Sequence, residues 1–444
     1  MRPNEMSASA AGEAIRRGEL TSERLVAACL ERVAEVEPRV GAWTWLDPDH
    51  ALAQARAADA RQRSGAALGA LHGIPVGIKD IFDTADMATE NGTVLHAGRR
   101  PAEDATAVAL LRAAGAVIMG KTVTAELAVY APGKTTNPHD ARRTPGGSSS
   151  GSAAAVAADM VPLAIGTQTN GSILRPASYC GVYGFKPSHG SISRHGVLKQ
   201  SLALDHVGVF GRSVDDVALI ARELFVHDGK DPDVPPQVSL GLDADWRFAG
   251  GRQPRIAFAR TPQWPQASAG AQDAFLTLAA QWSDFAHEVE LPREFCSAVQ
   301  WHRTIMEADL ASSFAAEYAS GKDRLSPTLR EMIERGQRHL AVDYSRARDG
   351  VAALRQALAR LFSEWDAVLT PATQGVAPLG LESTGSPMFC TIWTLCGVPA
   401  ISLPVLRGEE GMPLGAQLVA ARGDDANLLR IARWLVQRRE GATR

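Results

Sequence analysis

Helical segments in this sequence are repeatedly followed by short apolar segments. The stretch 104–114 (DATAVALLRAA) has helical spacing, Gly115 can end that helix in a left-handed conformation, and the apolar run 116–119 indicates a buried strand. A second pair joins a helix over 152–158 to a strand over 161–165. Helices that alternate with buried strands cover the faces of one sheet. We therefore predict a single large α/β domain, with a mixed β-sheet core covered by helices on both faces.

The first 70 residues have a different pattern. Apolar residues from Leu25 to Val36 recur every three or four positions until Pro38, where we expect the helix to end, and a second helix is expected over 51–63. We therefore predict an N-terminal helical segment of residues 1–70 and an α/β domain of residues 71–444. Within that domain we expect further strands over 73–78, 255–259, 366–370 and 398–406, and further helices over 271–290, 298–320 and 351–365.

Composition narrows the class of protein. Hydrophobic residues make up 45% and charged residues 21% of the 444, the formal net charge is −3, and like charges are not blocked together. These values favour a globular protein that binds neither nucleic acid nor a membrane surface. The N-terminus is too polar for a signal peptide, and no run approaches 18 apolar residues. Five scattered cysteines without a C-x-x-C pair indicate reduced thiols and no zinc site. We expect a cytoplasmic protein.

Two glycine- and serine-rich segments have a composition that a core does not require. Segment 146–152 (GGSSSGS) precedes an alanine-rich helix, and segment 166–172 (GTQTNGS) directly follows an apolar strand. Such loops can aim several backbone N–H groups at one point, as an oxyanion hole requires. Taken alone, the first could be an ordinary serine-capped helix start and the second a polar turn.

Lys79 is the third candidate, because it follows the apolar strand GIPVGI. A lysine that emerges from buried sequence is desolvated, which favours its neutral form. An ordinary solvated lysine at a strand end is the competing interpretation.

In order and spacing, these segments resemble the signature of the amidase signature family. The resemblance is carried by 73–80 (GIPVGIKD), 146–152 and 166–176 (GTQTNGSILRP), and continues through 180–187 (CGVYGFKP), with weaker similarity at 370–373 and 412–419. It implies amide hydrolysis on a large α/β domain, with no metal and no organic cofactor.

The resemblance also implies a role for each reacting residue. Ser172 corresponds to the nucleophile, Lys79 to the base, and Ser148 to a bridging serine held on a cis peptide. A neutral lysine can draw a proton through the bridging hydroxyl, which leaves Ser172 nucleophilic for an acyl-enzyme route. The oxyanion is expected against backbone N–H groups of the loop residues Gln168, Thr169, Asn170 and Gly171.

This sequence departs from the family pattern at three places. Gln168 stands where the family usually has Asp, Asn170 where it usually has Gly, and the arginine falls three residues after the nucleophile, at Arg175. The last feature resembles the malonamidase-like branch, in which that arginine contacts a substrate carboxylate. We therefore predict Arg175 as a carboxylate clamp, with a structural salt bridge as the alternative, and assign Thr167 to substrate binding as well.

A Walker A pattern is present at 115–122 (GAVIMGKT). A phosphate-binding loop needs a strand before its first glycine and a helix after its lysine. Here a helix precedes the pattern and its central residues are themselves a strand, so we do not expect nucleotide binding.

Segment 147–151 also satisfies G-x-S-x-G, the nucleophile elbow of α/β-hydrolases, with Ser149 as nucleophile of an esterase-type enzyme. That elbow follows a strand, whereas the preceding DARRTPG is turn-like. A histidine would also be needed, and the downstream candidates are His189, His195 and His206.

Two further alternatives lie within the family. One is a binding subunit without activity, which the retention of Lys79, Ser148 and Ser172 disfavours. The other is a tRNA-dependent amidotransferase A-like subunit. We favour a free-standing amidase acting on a small-molecule amide, with a homodimer as an open option. Segments 301–345 and 374–393 are expected to vary with the substrate.

Overall fold

The computed structural model describes residues 2–242, 246, 248 and 252–442. Its centre is one 11-stranded mixed sheet with the strand order β1-β3-β2-β4-β6-β5-β10-β11-β9-β7-β8. The predicted α/β class with a mixed sheet and flanking helices is confirmed. The strands are β1 Trp43–Leu46, β2 Pro75–Lys79, β3 Val117–Thr122, β4 Leu163–Gln168, β5 Tyr183–Lys186, β6 His206–Gly211, β7 Ile256–Arg260, β8 Ala286–Glu290, β9 Ala367–Pro371, β10 Ala400–Arg407 and β11 Pro413–Val419.

The helices lie between and after these strands. They are α1 Ala8–Arg16, α2 Ser22–Val40, α3 Pro48–Arg63, α4 Thr106–Ala113, α5 Ser150–Ala157, α6 Leu174–Cys180, α7 Val214–Leu224, α8 Ala269–Gln281, α9 Ala298–Ser313, α10 Ala315–Gly321, α11 Pro327–Gly336, α12 Ala341–Glu364, α13 Met388–Cys396 and α14 Asp425–Ala442. Within the described residues, none of them is both long and apolar enough to cross a membrane.

Three neighbouring strands, β3, β2 and β4, run parallel. Ile78 on β2 is opposite Lys121 on β3 and Ile165 on β4. The carboxyl ends of these strands therefore meet at one edge of the sheet, where ligands of open α/β sheets bind. Lys79 and the loop 166–172 lie at this edge, and segment 146–152 contacts it where the N–H of Gly151 donates to the carbonyl of Val123, just after β3.

The N-terminal segment contains a strand that its helical pattern did not predict. Leu46 at the end of β1 pairs with Gly120 of β3, so residues 1–70 contribute an edge strand to the sheet. Apolar residues of α2 such as Val26 also belong to the same buried cluster as Ile78 and Ile165. The boundary between residues 70 and 71 stays a prediction.

The helix expected to end at Pro38 continues to Val40. Pro38 lies in its last turn, and Gly41, at φ 62°, adopts the left-handed conformation and donates its N–H to the carbonyl of Glu37 at 2.9 Å. The prediction was wrong because a proline removes one hydrogen bond, whereas the glycine cap supplies the actual end of the helix.

The helix expected over 271–290 was wrong in its last part. Helix α8 ends at Gln281, and Ala286–Glu290 forms β8, which pairs in parallel with β7, with Ala286 opposite Ile256. Three of its residues, His287, Glu288 and Glu290, are exposed. This edge strand is formed by pairing with β7, and local apolar spacing does not record that partner.

Candidate active site

Lys79 is the last residue of β2, and its side chain is fully buried. Its Nζ lies 2.8 Å from the hydroxyl of Ser148 and 2.8 Å from the hydroxyl of Thr167. Thr167 belongs to β4, which pairs with β2 in parallel. Ser148 and Thr167, which follow Lys79 in the chain by 69 and 88 positions, therefore both contact its amine.

Burial lowers the pKa of Lys79 well below its ordinary value. The carboxylate of Asp205 opposes this effect, and the guanidinium of Arg175 adds to it. No carboxylate lies within ion-pair distance of the Lys79 amine among the described residues. Its surroundings therefore favour the neutral amine, which can accept a proton.

The segment before α5 presents Ser148 to this amine. The Gly147–Ser148 peptide bond is cis, and Gly146 has φ 83°. A side chain at Gly146 would clash with the backbone of Pro176, at 2.8 Å. The bridging segment thus packs directly on α6, the helix that begins just after Ser172.

Ser172 lies between β4 and α6 and is 7% exposed. Within the described part of the chain, no hydrogen bond to its hydroxyl is present. Ser149, in contrast, is fully buried and binds the backbone of Thr167, donating to the carbonyl at 3.2 Å and accepting from the N–H at 3.3 Å.

None of the three histidines considered for the α/β-hydrolase alternative hydrogen-bonds Ser149 among the described residues, and one of them, His195, is exposed. Nε2 of His189 lies 2.9 Å from the Leu202 carbonyl, and Nδ1 of His206 lies 2.6 Å from the Leu204 carbonyl. Ser149 is also the N-cap of α5 and does not follow a strand. The nucleophile elbow geometry is therefore not present.

The loop from Gln168 to Gly171 is fixed by its own side chains. Oε1 of Gln168 accepts from the N–H groups of Ile173 (2.8 Å) and Leu174 (3.0 Å), so it caps α6. A carboxylate could accept the same two bonds, which explains how Gln replaces the family's Asp. Gln168 also donates to Thr394 at 2.9 Å.

Asn170 and Thr169 are held in the same way. Asn170 donates to Tyr130 at 3.0 Å and accepts from Thr391 at 2.7 Å. The Thr169 hydroxyl donates to Asp205 at 2.7 Å, and its carbonyl accepts from Nε2 of His302 at 2.9 Å.

These contacts involve the side chains and carbonyls of the loop. For the N–H groups of Thr169, Asn170 and Gly171, no protein acceptor is present among the described residues. The side chains therefore hold the loop in place, while these three N–H groups remain available to donate to a bound oxyanion.

Arg175 lies in the first turn of α6 and is fully buried. Its Nη2 donates to the carbonyl of Gly147 at 2.6 Å and to Thr384 at 3.0 Å. Nε and Nη1 have no partner among the described residues. No acidic side chain forms an ion pair with it in the part of the chain that the structure describes. The structural salt bridge that was the alternative to the clamp is therefore not found.

A cavity of about 370 Å³, here named the outer cavity, is lined by Tyr130, Asn170, side chains of α9 and α11, and side chains between Ser386 and Thr391. The segments 301–345 and 374–393 thus supply much of its wall. Its charged residues include Arg303 and the pair formed by Arg335 and Glu307, whose atoms lie 2.8 Å apart.

The lysine of the Walker A pattern lies within β3. Nζ of Lys121 donates to Thr89 and to the carbonyl of Phe82 (2.9 Å), and lies 3.3 Å from the Asp80 carboxylate. The segment is a strand with a structural lysine, as expected, and forms no phosphate-binding loop.

Several residues around the site were not predicted from the sequence: Thr384, which contacts Arg175, and five that hold the reacting loop, Tyr130, Asp205, His302, Thr391 and Thr394. Asp205 carried a usable signal, because it is an acid directly before the apolar strand β6. Burial raises its pKa to about 6. His302, Thr391 and Thr394 lie in α9 and α13, whereas Tyr130 and Thr384 lie outside helices and strands. No local pattern marks any of them.

The amidase family model matches residues 24–429. The chain is 35% identical over 467 aligned residues to the A-type subunit of the glutamyl-tRNA(Gln) amidotransferase of Chloroflexus aggregans, with 96% of this chain and 95% of that protein covered.

Two solved structures extend the comparison. The peptide amidase of Stenotrophomonas maltophilia superposes with a TM-score of 0.84 at 30% identity, covering 98% of this chain and 97% of that one. A protein from a vestigial complex linked to the origins of an s-triazine catabolic enzyme superposes with a TM-score of 0.90 at 28% identity, covering 98% of both chains. The resemblance deduced from the three motifs is thereby confirmed, and this chain belongs to the amidase family.

Proposed function

We propose that this amidase hydrolyses the C–N bond of a small amide through an acyl-enzyme, with Ser172 as nucleophile, Ser148 as bridging residue and Lys79 as base. The observation that carries the proposal is the buried Lys79 amine, 2.8 Å from the Ser148 hydroxyl and without an ion-pair partner among the described residues. An uncharged amine in this position can draw a proton from a serine hydroxyl.

In the first half-reaction, the Oγ of Ser172 bonds to the amide carbon, and its proton passes through Ser148 to Lys79. The carbonyl becomes an oxyanion. When the C–N bond breaks, Ser148 returns a proton to the nitrogen, because an amine leaves poorly without a general acid. Ammonia or an amine departs and the acyl group stays on Ser172.

In the second half-reaction, water attacks the ester carbon and its proton follows the same route to Lys79. The bond to Ser172 breaks and that oxygen regains a proton, so the carboxylic acid is released and the enzyme is restored. The oxyanion of both half-reactions lies against backbone N–H groups of 168–171. The absence of protein acceptors for three of these donors among the described residues supports this role.

The substrate is proposed to bear a carboxylate and to reach Ser172 and Arg175 from the outer cavity. Neither of these residues lines that cavity; its wall includes Asn170 of the reacting loop and Tyr130, over whose ring the Arg175 guanidinium lies. Nε and Nη1 of Arg175 are buried and unpartnered among the described residues, and a guanidinium of this kind can bind a carboxylate with two parallel hydrogen bonds. Thr167, assigned to substrate binding from the sequence, has its hydroxyl on Lys79. We propose that it positions the base.

The test is ammonia release from a panel of small aliphatic amides, aromatic amides, half-amides of dicarboxylic acids and ureas. We expect turnover by the wild type, and a loss of about 10⁴-fold or more in Ser172→Ala. Incubation with a substrate should add the acyl mass to the peptide that contains Ser172. Ser172→Ala with undiminished turnover would exclude this mechanism.

The clamp is tested on the same panel with Arg175→Met and Arg175→Lys. We expect Arg175→Met to lose the preference for half-amides over neutral amides of equal length, and Arg175→Lys to keep part of it. Equal preference in wild type and Arg175→Met would contradict the clamp.

A second candidate is a component of an amidotransferase, favoured by the 35% identity to the Chloroflexus aggregans protein. Assaying the purified chain alone for amide turnover distinguishes the two candidates, since a free-standing amidase hydrolyses free amides without tRNA or partner proteins. Turnover that requires both would favour the amidotransferase component.

We further propose a cytoplasmic location and a homodimer. All five cysteines are free, which supports a reducing compartment. Fractionation of the native host and analytical ultracentrifugation test the two proposals separately.

A further inference from the structure

A second cavity, here named the inner cavity, lies beside the base. Its volume is about 30 Å³, and Thr167, Thr169, Gln200, Asp205 and His206 are among the residues that line it. The reacting loop contributes Asn170 to the outer cavity and Thr169 to the inner one. The two cavities are therefore lined by different residues, and the inner one is too small for an amide substrate.

Two buried acceptors belong to residues that line the inner cavity. Nδ1 of His206 faces the Leu204 carbonyl at 2.6 Å and must carry the ring proton. Burial lowers the pKa of His206 well below its ordinary value, so the ring is neutral and Nε2 is an acceptor. Nε2 of Gln200 donates to the Leu127 carbonyl at 3.0 Å. Neither Nε2 of His206 nor Oε1 of Gln200 has a partner among the described residues.

Thr167 supplies the matching donor. Its oxygen accepts from Lys79 at 2.8 Å, which leaves its own hydrogen free to donate. Two acceptors and one donor are the complement of one water molecule, which donates twice and accepts through its oxygen. A buried water needs roughly 10–15 Å³ of accessible space and two to four polar partners. The inner cavity has the required volume, and Thr167, Gln200 and His206, which carry these three groups, are among the residues that line it.

We propose that the inner cavity binds one water molecule that hydrogen-bonds Thr167, Gln200 and His206 and completes the polar shell of the Lys79 amine. This inference rests on the proposed function of Lys79 as base. When Lys79 takes the proton of Ser172 it becomes an ammonium, whose added charge must be stabilised without bulk water. A Thr167 hydroxyl polarised by the water accepts more strongly from that ammonium. Gln200 and His206 are thereby positioning residues.

Other charges also act on this amine. Asp205 attracts the protonated form and Arg175 repels it, while Arg194 and Lys199 line the inner cavity. Any change of the pH profile must therefore be assigned with variants that leave these four groups intact.

The first test is a high-resolution crystal structure of the wild-type protein. We expect density for one water within hydrogen-bond distance of the Thr167 hydroxyl and of Oε1 of Gln200 or Nε2 of His206. An inner cavity without that density, or one closed by direct bonds between these side chains, overturns the proposal.

The second test is kinetic and uses Thr167→Val, Thr167→Ser and Gln200→Met. Thr167→Val should lower kcat roughly tenfold and move the acid limb of kcat/KM to lower pH, because the protonated Lys79 loses an acceptor. Thr167→Ser should restore both values. Gln200→Met should move the acid limb in the same direction by less.

The matched control is Gln263→Met. Gln263 is also buried with an unpartnered Oε1 among the described residues, but it does not line the inner cavity. An acid limb that is the same in Gln200→Met and Gln263→Met would overturn the positioning role. If Ser172→Ala keeps its activity, the proposed function fails while the crystallographic water can still be present, so the two failures are distinguishable.

Discussion

The carboxyl ends of two neighbouring parallel strands, β2 and β3, each place a lysine in the interior, and the two surroundings differ. Lys121 on β3 lies among four oxygen acceptors and 3.3 Å from the carboxylate of Asp80. Lys79 on β2 contacts two hydroxyls. Both side chains are fully buried.

The pKa of Lys121 is lowered by burial to about 8, with Asp80 opposing the decrease, so it stays charged at neutral pH. Burial lowers the pKa of Lys79 well below its ordinary value, and the acid that opposes this effect, Asp205, forms no ion pair with it. Burial alone therefore does not make a base. A buried lysine becomes a base when no carboxylate pairs with its amine.

Asp80 shows how the strand achieves this. It follows Lys79 in the sequence, but its carboxylate contacts Lys121. Asp80 is the first residue after β2, and its carboxylate pairs with the lysine of the neighbouring strand, which leaves Lys79 without an ion-pair partner among the described residues.

Replacing each lysine by methionine should separate the two most clearly, since one variant loses activity and the other loses stability. Lys79→Met should lower kcat by about 10³-fold or more, because the proton acceptor is lost, while the melting temperature is unchanged or higher, since a desolvated amine is replaced by an apolar chain. Amide turnover and thermal unfolding measure the two effects. Activity within tenfold of the wild type would mean that Lys79 is not the base.

Lys121→Met should act on stability. It leaves Asp80 buried and unpaired, which should reduce the free energy of unfolding by about 3–5 kcal/mol, measured by urea denaturation. Adding Asp80→Leu should recover part of the loss. The folded fraction should keep kcat within about tenfold of the wild type. Unchanged stability with lost activity would remove the distinction between the two lysines.

The pH profile separates the charges that act on Lys79. Its neutral form is the active one, so kcat/KM for a neutral amide should fall as pH falls through the pKa of Lys79. Arg175→Met removes a repelling charge and should move this acid limb up by about one pH unit. Asp205→Asn removes an attracting charge and should move it down. Shifts in the same direction in both variants would contradict this electrostatic account.

Ser149→Ala should have the smallest effect. Among the described residues the hydroxyl binds the Thr167 backbone alone, so we expect a loss of about 1 kcal/mol in the free energy of unfolding and kcat within roughly threefold of the wild type. Loss of activity comparable to that of Ser172→Ala would make Ser149 a nucleophile candidate again.

Much of the local structure could be predicted. The helices near 51–63 and 104–114, the strands near 73–78 and 366–370, and the class of the sheet follow from spacing and from glycine and proline signals. Strands β1 and β8 could not be predicted, because each is stabilised by pairing with another strand, β1 with β3 and β8 with β7, and local apolar spacing does not record that pairing. The hydrogen bonds of Thr169 to Asp205 and His302 could not be predicted either, because they join distant segments of the chain.

The sequence by itself determined which chemical groups are available: a lysine after an apolar strand, two glycine- and serine-rich segments, and a serine before a helix. Only the tertiary structure decided that Lys79 meets Ser148 and Thr167, that Arg175 is buried without an acid among the described residues, and that two cavities flank the reacting loop. The physical reason is that proton affinity depends on burial and on the field of neighbouring charges. Both are set by segments that are distant in the chain and adjacent only in the fold.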